Sequence, residues 1–203
     1  MQILCAVRFT FRAKCAIMVK KGVGDVKAWQ HFKTVNRHRF LVMKLCFRVG
    51  LYRQGLCHDL SKYSPTEFLV GAKYYAGTRS PNAVERETNG YSEAWMHHKG
   101  RNRHHYEYWT DLDPVTKRYT PVEMPRRYLT EMVLDRVAAC MTYHGKDYRD
   151  GDALAYYLKS AETKLMHPET SRQLRLLLQL LADEGEEALF RFLRETVLPG
   201  KPF

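Results

Sequence analysis

Cysteine is scarce in this chain, and what there is does not pair. The five cysteines among 203 residues (Cys5, Cys15, Cys46, Cys57 and Cys140) are odd in number, scattered, and form no C-x-x-C. That excludes a disulfide framework and a thiolate zinc site, and it predicts a protein of the reducing cytoplasm. Acid is nearly missing from the first quarter. Residues 1–53 hold twelve Lys/Arg and one acid, Asp25, so this stretch carries the whole formal net charge of +11. No run reaches the roughly 18 apolar residues that a membrane span needs, so no membrane association is expected. Internal repeats, low-complexity tracts and strand-like alternation are also missing. Residues 1–22 mix apolar residues with five Lys/Arg that interrupt every apolar core, and no small-residue cleavage site follows, which argues against a signal peptide. Residues 1–24 therefore read as a basic leader, disordered or preceding the native start, with Met18 an alternative initiator.

The charge asymmetry has two readings. A basic N-terminal third attracts nucleic acid, anionic lipid or a phosphorylated ligand. It is equally what a solvated helix face behind a basic leader looks like. No nucleic-acid-binding motif accompanies it.

Apolar periodicity predicts helices throughout. Trp29, Phe32, Val35, Phe40, Val42, Met43 and Cys46 recur at helical spacing over residues 25–49, with Asp25 as a cap. A turn is expected at Gly50 and Gly55, then a short helix over 56–62 that contains His58 and Asp59. Ser64-Pro65-Thr66-Glu67 has the form of a capping box. Residues 77–91 and 111–121 read as loops, the first long enough to serve as a lid. Ser92 caps a short helix, Pro125 opens a longer one that ends at Gly145, and further helices are expected over 153–166, 168–182 and 184–197. The fold class is all-α: a helical bundle over 25–165 with a C-terminal helical extension, 166–203, packed on it.

Histidine is where the chain is rich. Four of its nine histidines (His97, His98, His104, His105) fall within nine residues, between Trp95 and Trp109 and among Lys99, Arg101 and Arg103. Each imidazole has two polar nitrogens that need partners, and a metal ion satisfies several at once. Upstream, vicinal His58-Asp59 places a neutral nitrogen ligand beside an anionic oxygen. Downstream, Asp135 lies mid-helix with Glu131, Ala138, Ala139 and Thr142 on its flank, small enough to leave room for approach.

In order, His38, His58-Asp59, the histidine group and Asp135 resemble the H…HD…H…H…D arrangement of HD-domain metal-dependent phosphohydrolases. His58-Asp59-Leu60-Ser61-Lys62 is similar to their HD-x-G-K phrase, with Ser61 in place of Gly. The resemblance is closer to a family of small bacterial and phage proteins, a domain of unknown function with an HD-like histidine pattern. It is carried by residues 37–39 (R-H-R), 55–68, 97–109 and 124–135. It implies an HD-like bundle with one or two divalent ions held by His38, His58, Asp59, His98, His104, His105 and Asp135, with His31 a rival for the first position. Mn, Fe, Co, Ni and Zn all suit such ligands. His58, Asp59 and Lys62 would carry the chemistry, and Lys62, Arg101 and Arg103 would hold the phosphate of a small phosphorylated molecule or nucleotide. Two further readings stay open: a di-iron site acting on oxygen or peroxide, and a non-catalytic protein that is metal-stabilised or binds nucleic acid.

Overall fold

The computed structural model describes residues 23–159 and 165–203. Most of the basic leader, and part of the helix expected over 153–166, lie outside these. The described residues form eight α-helices and one small hairpin, a predominantly all-α fold. No helix among them is long and apolar enough to cross a membrane.

Helix α1 (Val23–Arg48) and helix α6 (Arg126–His144) are the frame. Helix α6 is buried on most of its circumference, and that burial divides by chemistry. Leu129, Val133, Leu134 and Val137 join Val42, Leu45 and Cys46 of α1, and Val49 just after it, in the core. Leu174, Leu177, Leu178 and Leu181 of α8 (Pro168–Phe192) close it. Glu131 and Asp135, one turn apart on α6, instead enter the polar site described below. The Leu-rich spacing of α8 is a packing stripe, as expected for a helix with one buried face. At Gly185 (φ 80°, ψ −179°) the helical path of α8 is broken, which divides it into two helical segments close to the two C-terminal helices expected from sequence.

Several local expectations are corrected. Residues 77–91 are not one polar loop: they hold α4 (Pro81–Asn89), started by Pro81 in its first turn and stopped by Gly90 at φ 80°. Residues 111–121 carry antiparallel strands β1 (Thr110–Leu112) and β2 (Tyr119–Pro121), too short to show an alternation in sequence. Gly55 marks no turn. It lies inside α2 (Tyr52–Cys57), where a Cβ would come within 3.0 Å of Cys46 Cβ, so its absence lets α2 sit close on α1. Helix α7 (Asp152–Leu158) covers the start of the helix expected over 153–166, and residues 160–164 of that expectation lie outside the described residues.

Helix α3 (Pro65–Lys73) begins at the expected Ser64 cap, whose hydroxyl accepts from Glu67 N–H. It packs on α1 through Gly71. A Cβ at Gly71 would meet His31 Nε2 at 2.4 Å, and the ring has little room to move because Phe68 and Tyr75 lie against it, centroids 5.3 and 5.8 Å away. Gly71→Ala is expected to cost about 1–3 kcal/mol by overpacking, read as a lowered melting temperature.

Candidate metal centre

The His58-Asp59 pair does not sit inside a helix. Helix α2 ends at Cys57, His58 turns extended (φ −51°, ψ 128°), and Asp59 takes the left-handed conformation (φ 54°, ψ 25°) before a 3₁₀ turn, Leu60–Tyr63. A left-handed non-glycine residue costs about 1–2 kcal/mol, and asparagine and aspartate are the side chains that tolerate it best. Arg39, the neighbour of His38, pins this break to α1: its guanidinium donates to the carbonyls of His58 (2.7 Å) and Leu56 (3.2 Å) and to the Tyr63 hydroxyl (3.0 Å). The break turns the Asp59 carboxylate into the interior, where it is 1% exposed.

Around that carboxylate the imidazoles divide into two sets. Near Oδ1 stand His98 Nε2 (3.2 Å) and His104 Nε2 (3.3 Å). On the Oδ2 side stand His58 Nε2 (3.5 Å) and His38 Nε2 (3.8 Å), and both also face Asp135 Oδ1, at 3.5 and 3.0 Å. The sets Asp59, His98, His104, His105 and His38, His58, Asp59, Asp135 each present four ligand atoms within 4.8 Å of one another. Asp59 belongs to both.

The far side of the rings is equally ordered. Glu131 Oε1 receives both His58 Nδ1 (2.9 Å) and His104 Nδ1 (3.2 Å). Glu67 receives His98 Nδ1 (2.7 Å) through one oxygen and His97 Nδ1 (2.6 Å) through the other. A carboxylate holding the outer nitrogen fixes tautomer and ring orientation, leaving the inner nitrogen as a lone-pair donor. Those inner atoms are the ones without partners: the Nε2 of His58, His98, His104 and His105, and Asp59 Oδ1, are buried with no hydrogen bond. Unpaired buried polar atoms are costly and rare, and five pointing into one space are what divalent-ion ligation would satisfy. The donor set therefore suits a divalent ion, and Asp59 is common to both four-residue groups that could hold one.

Electrostatics without an ion tell the same story. Burial opposes charge on His58 and His104, yet Asp59, Asp135 and Glu131 outweigh it, raising His58 and carrying His104 to about 10. Burial would likewise raise the carboxyls of Asp59 and Asp135, but the surrounding imidazoles hold both well below the ordinary range, helped at Asp59 by Lys62. His105 is driven well down, by burial and then by the charges of His104 and His98. Lys62 Nζ lies 2.8 Å from Asp59 Oδ2.

Sequence reasoning placed its seven metal candidates, His38, His58, Asp59, His98, His104, His105 and Asp135, and all seven meet here. His31 does not; it is buried against Phe68 and Tyr75, its pKa lowered to about 4 by burial and by Lys62. His97 turns to Glu67. Arg101 donates to the His97 carbonyl (3.3 Å) and Arg103 lies between the Tyr108 and Tyr128 rings. Neither lines the cleft of about 780 Å³ that opens on His38, Lys62, His105 and Asp135. The cations that do are Lys62, Arg79, Arg86 and Arg136.

The carboxylates behind the imidazoles are what sequence reasoning missed. Glu67 reads as a capping-box residue, and half of that box forms, but its carboxylate goes to the histidines. Glu131 stood one turn before Asp135, and that spacing was the available signal. Ser61, which departs from the HD-x-G-K phrase, has its Oγ 3.2 Å from His98 Nδ1 and accepts from Asn102 Nδ2 at 2.8 Å. Glu67→Gln is expected to weaken divalent-ion affinity about 10–100-fold while the fold is kept, measured by calorimetric titration.

No curated protein and no solved structure matches the chain. Residues 27–180, spanning all of these ligands, match the model of a family described as being of unknown function, DUF5662, and the chain belongs to that family.

Proposed function

We propose that the protein is a metal-dependent phosphohydrolase of the HD-like type. The observation that carries this reading is the bridging position of Asp59: its two oxygens face separate imidazole sets, with an open cleft beside them. When bound, a pair of divalent ions supplies an activated water near neutral pH and polarises a phosphoryl oxygen. His38, His58 and Asp135 would hold one ion and His98, His104 and His105 the other. Glu131 ties one imidazole of each set, so it keeps the two sets in register. Lys62 lines the cleft and is kept protonated against its burial by Asp59. The Lys62 ammonium would offer a phosphate oxygen a point charge at the edge of the cleft.

The test is turnover of phosphomonoesters, phosphodiesters and nucleotides by protein loaded in turn with Mn, Co, Zn and Fe. Metal-dependent release of phosphate is expected, falling about 10²-fold in Lys62→Ala through loss of a charge-assisted contact. A folded, metal-loaded protein that hydrolyses none of them overturns the reading. Consumption of oxygen or peroxide by the iron form would replace it with a redox one.

A further inference from the structure

The cleft extends past the metal centre, and its far part has a chemistry of its own. One face of α6 lines it, with Met132, the neighbours Asp135 and Arg136, Ala139 and Tyr143 one turn apart in sequence. Arg86 of α4 and the segment Tyr106-Glu107 line it as well. Helix α4 is a fixed wall: the Glu85 carboxylate on its buried side accepts from Ser92 Oγ (2.5 Å) and from the Glu93 N–H (3.1 Å), tying it to the start of α5 (Glu93–Lys99).

The charges in this wall are unequally committed. Arg79 is paired with Glu87 through two bonds of 2.6 Å. Glu67 and Asp135 are occupied by imidazoles. Arg86 has no hydrogen bond or ion pair among the described residues. Arg136 Nε is buried with no hydrogen-bond partner among the described residues, and its guanidinium lies 6.0 Å from the Tyr157 ring. Glu107 offsets one of the two positive charges, but it pairs with neither, and its Oε2 is buried without a partner. Both arginines line the same cleft as Tyr106 and Glu107.

Two unpaired guanidiniums facing one cavity are a receptor for an anion, since a planar fork without a carboxylate is the group most suited to phosphate or carboxylate oxygens. We infer that Arg86 and Arg136 form a second anion subsite, and that the substrate is a phosphoester carrying another anionic group, phosphate or carboxylate, at its opposite end. The inference rests on the phosphohydrolase reading only in taking the first phosphate to sit at the metal centre. A cleft of about 780 Å³ holds a small metabolite of this kind whole.

The experiment compares two non-hydrolysable ligand series on Mn-loaded protein by calorimetric titration: alkylphosphonates, and α,ω-alkanebisphosphonates with about two to six methylene groups, chosen to span a cleft of this size. Both series offer the metals the same group, and only the second offers another anion. The best bisphosphonate is expected to bind about 10–100-fold tighter than its monophosphonate, the gain of one charge-assisted contact. Arg86→Gln and Arg136→Gln should shrink that advantage below about threefold while leaving the monophosphonate affinity unchanged, which also reports that each variant is folded. Glu107→Gln should enlarge it. Equal binding of the two series by the natural protein overturns the second subsite and leaves the metal-centred reading standing. Failure of both series to bind removes the phosphate site as well, and with it this inference.

Discussion

Asp59→Asn is expected to empty both halves of the metal centre. The substitution keeps side-chain size and tolerates the left-handed backbone that residue 59 adopts, so what it removes is the charge. That charge is shared: Oδ1 faces His98 and His104, Oδ2 faces His58, His38 and Lys62. Removing one member of a buried, charge-paired group costs about 3–5 kcal/mol. Divalent-ion affinity should therefore fall about 10²–10⁴-fold, at both sites together. Loss of one ion with full retention of the other, by elemental analysis, would show that Asp59 serves a single site. Asp135→Asn is the contrasting variant, because Asp135 belongs only to the set with His38 and His58.

Stability and ion affinity should respond to pH in opposite directions. In the metal-free protein His58 is raised and His104 reaches about 10, against an ordinary 6.5. The folded state then binds more protons than the unfolded state above pH 6.5. The stabilisation from these groups is complete below 6.5 and is lost as pH climbs toward about 10. Asp59, Asp135 and Glu131 have the reverse sign: held low in the fold, they stabilise above the ordinary carboxylate range, and that contribution fades as pH falls through and below it. His31 and His105, held low in the fold, share the carboxylates' sign and cost stability as pH falls below 6.5, so metal-free protein should be most stable near pH 6.5 and should lose melting temperature from neutrality upward. Ligation needs neutral imidazoles, so ion uptake expels the protons that His58 and His104 carry. Apparent affinity should rise up to about tenfold per pH unit for each proton released, or about a hundredfold when both leave. Thermal denaturation across pH with and without Mn or Zn, with titrations in buffers of different ionisation enthalpy, measures both. Parallel pH profiles with and without metal would count against ligation by these rings.

The fold class and the residues that meet at the candidate site were legible in the sequence for different reasons. Helices α1, α3, α6 and α8 announce themselves by apolar spacing and by Asp25 in the first turn of α1 or Pro or Ser at the starts of the others. The seven candidate positions stand out together, through the density of histidine between Trp95 and Trp109 and the order of His38, His58-Asp59, that group and Asp135 along the chain. What stayed hidden was determined by tertiary structure. Helix α4 is polar along its exposed side and owes its place to buried Glu85, which no local pattern marks. The break at Asp59 contradicts helical periodicity, and Arg39 holds it across 19 residues of chain. Arg101 and Arg103 are near the histidines in sequence but turn outward, while Arg86 and Arg136 reach the cleft from two other helices. Proximity along the chain was a poor guide to which cations share a cavity.

The most direct measurement is a crystal structure of metal-loaded protein with an anomalous difference map at the absorption edge of the ion. Two peaks are expected, one between His38, His58 and Asp135 and one between His98, His104 and His105, with an Asp59 oxygen on each and Glu67 and Glu131 still on the outer nitrogens. A well-ordered map with no peak in contact with Asp59, from crystals grown in millimolar metal, would contradict the account.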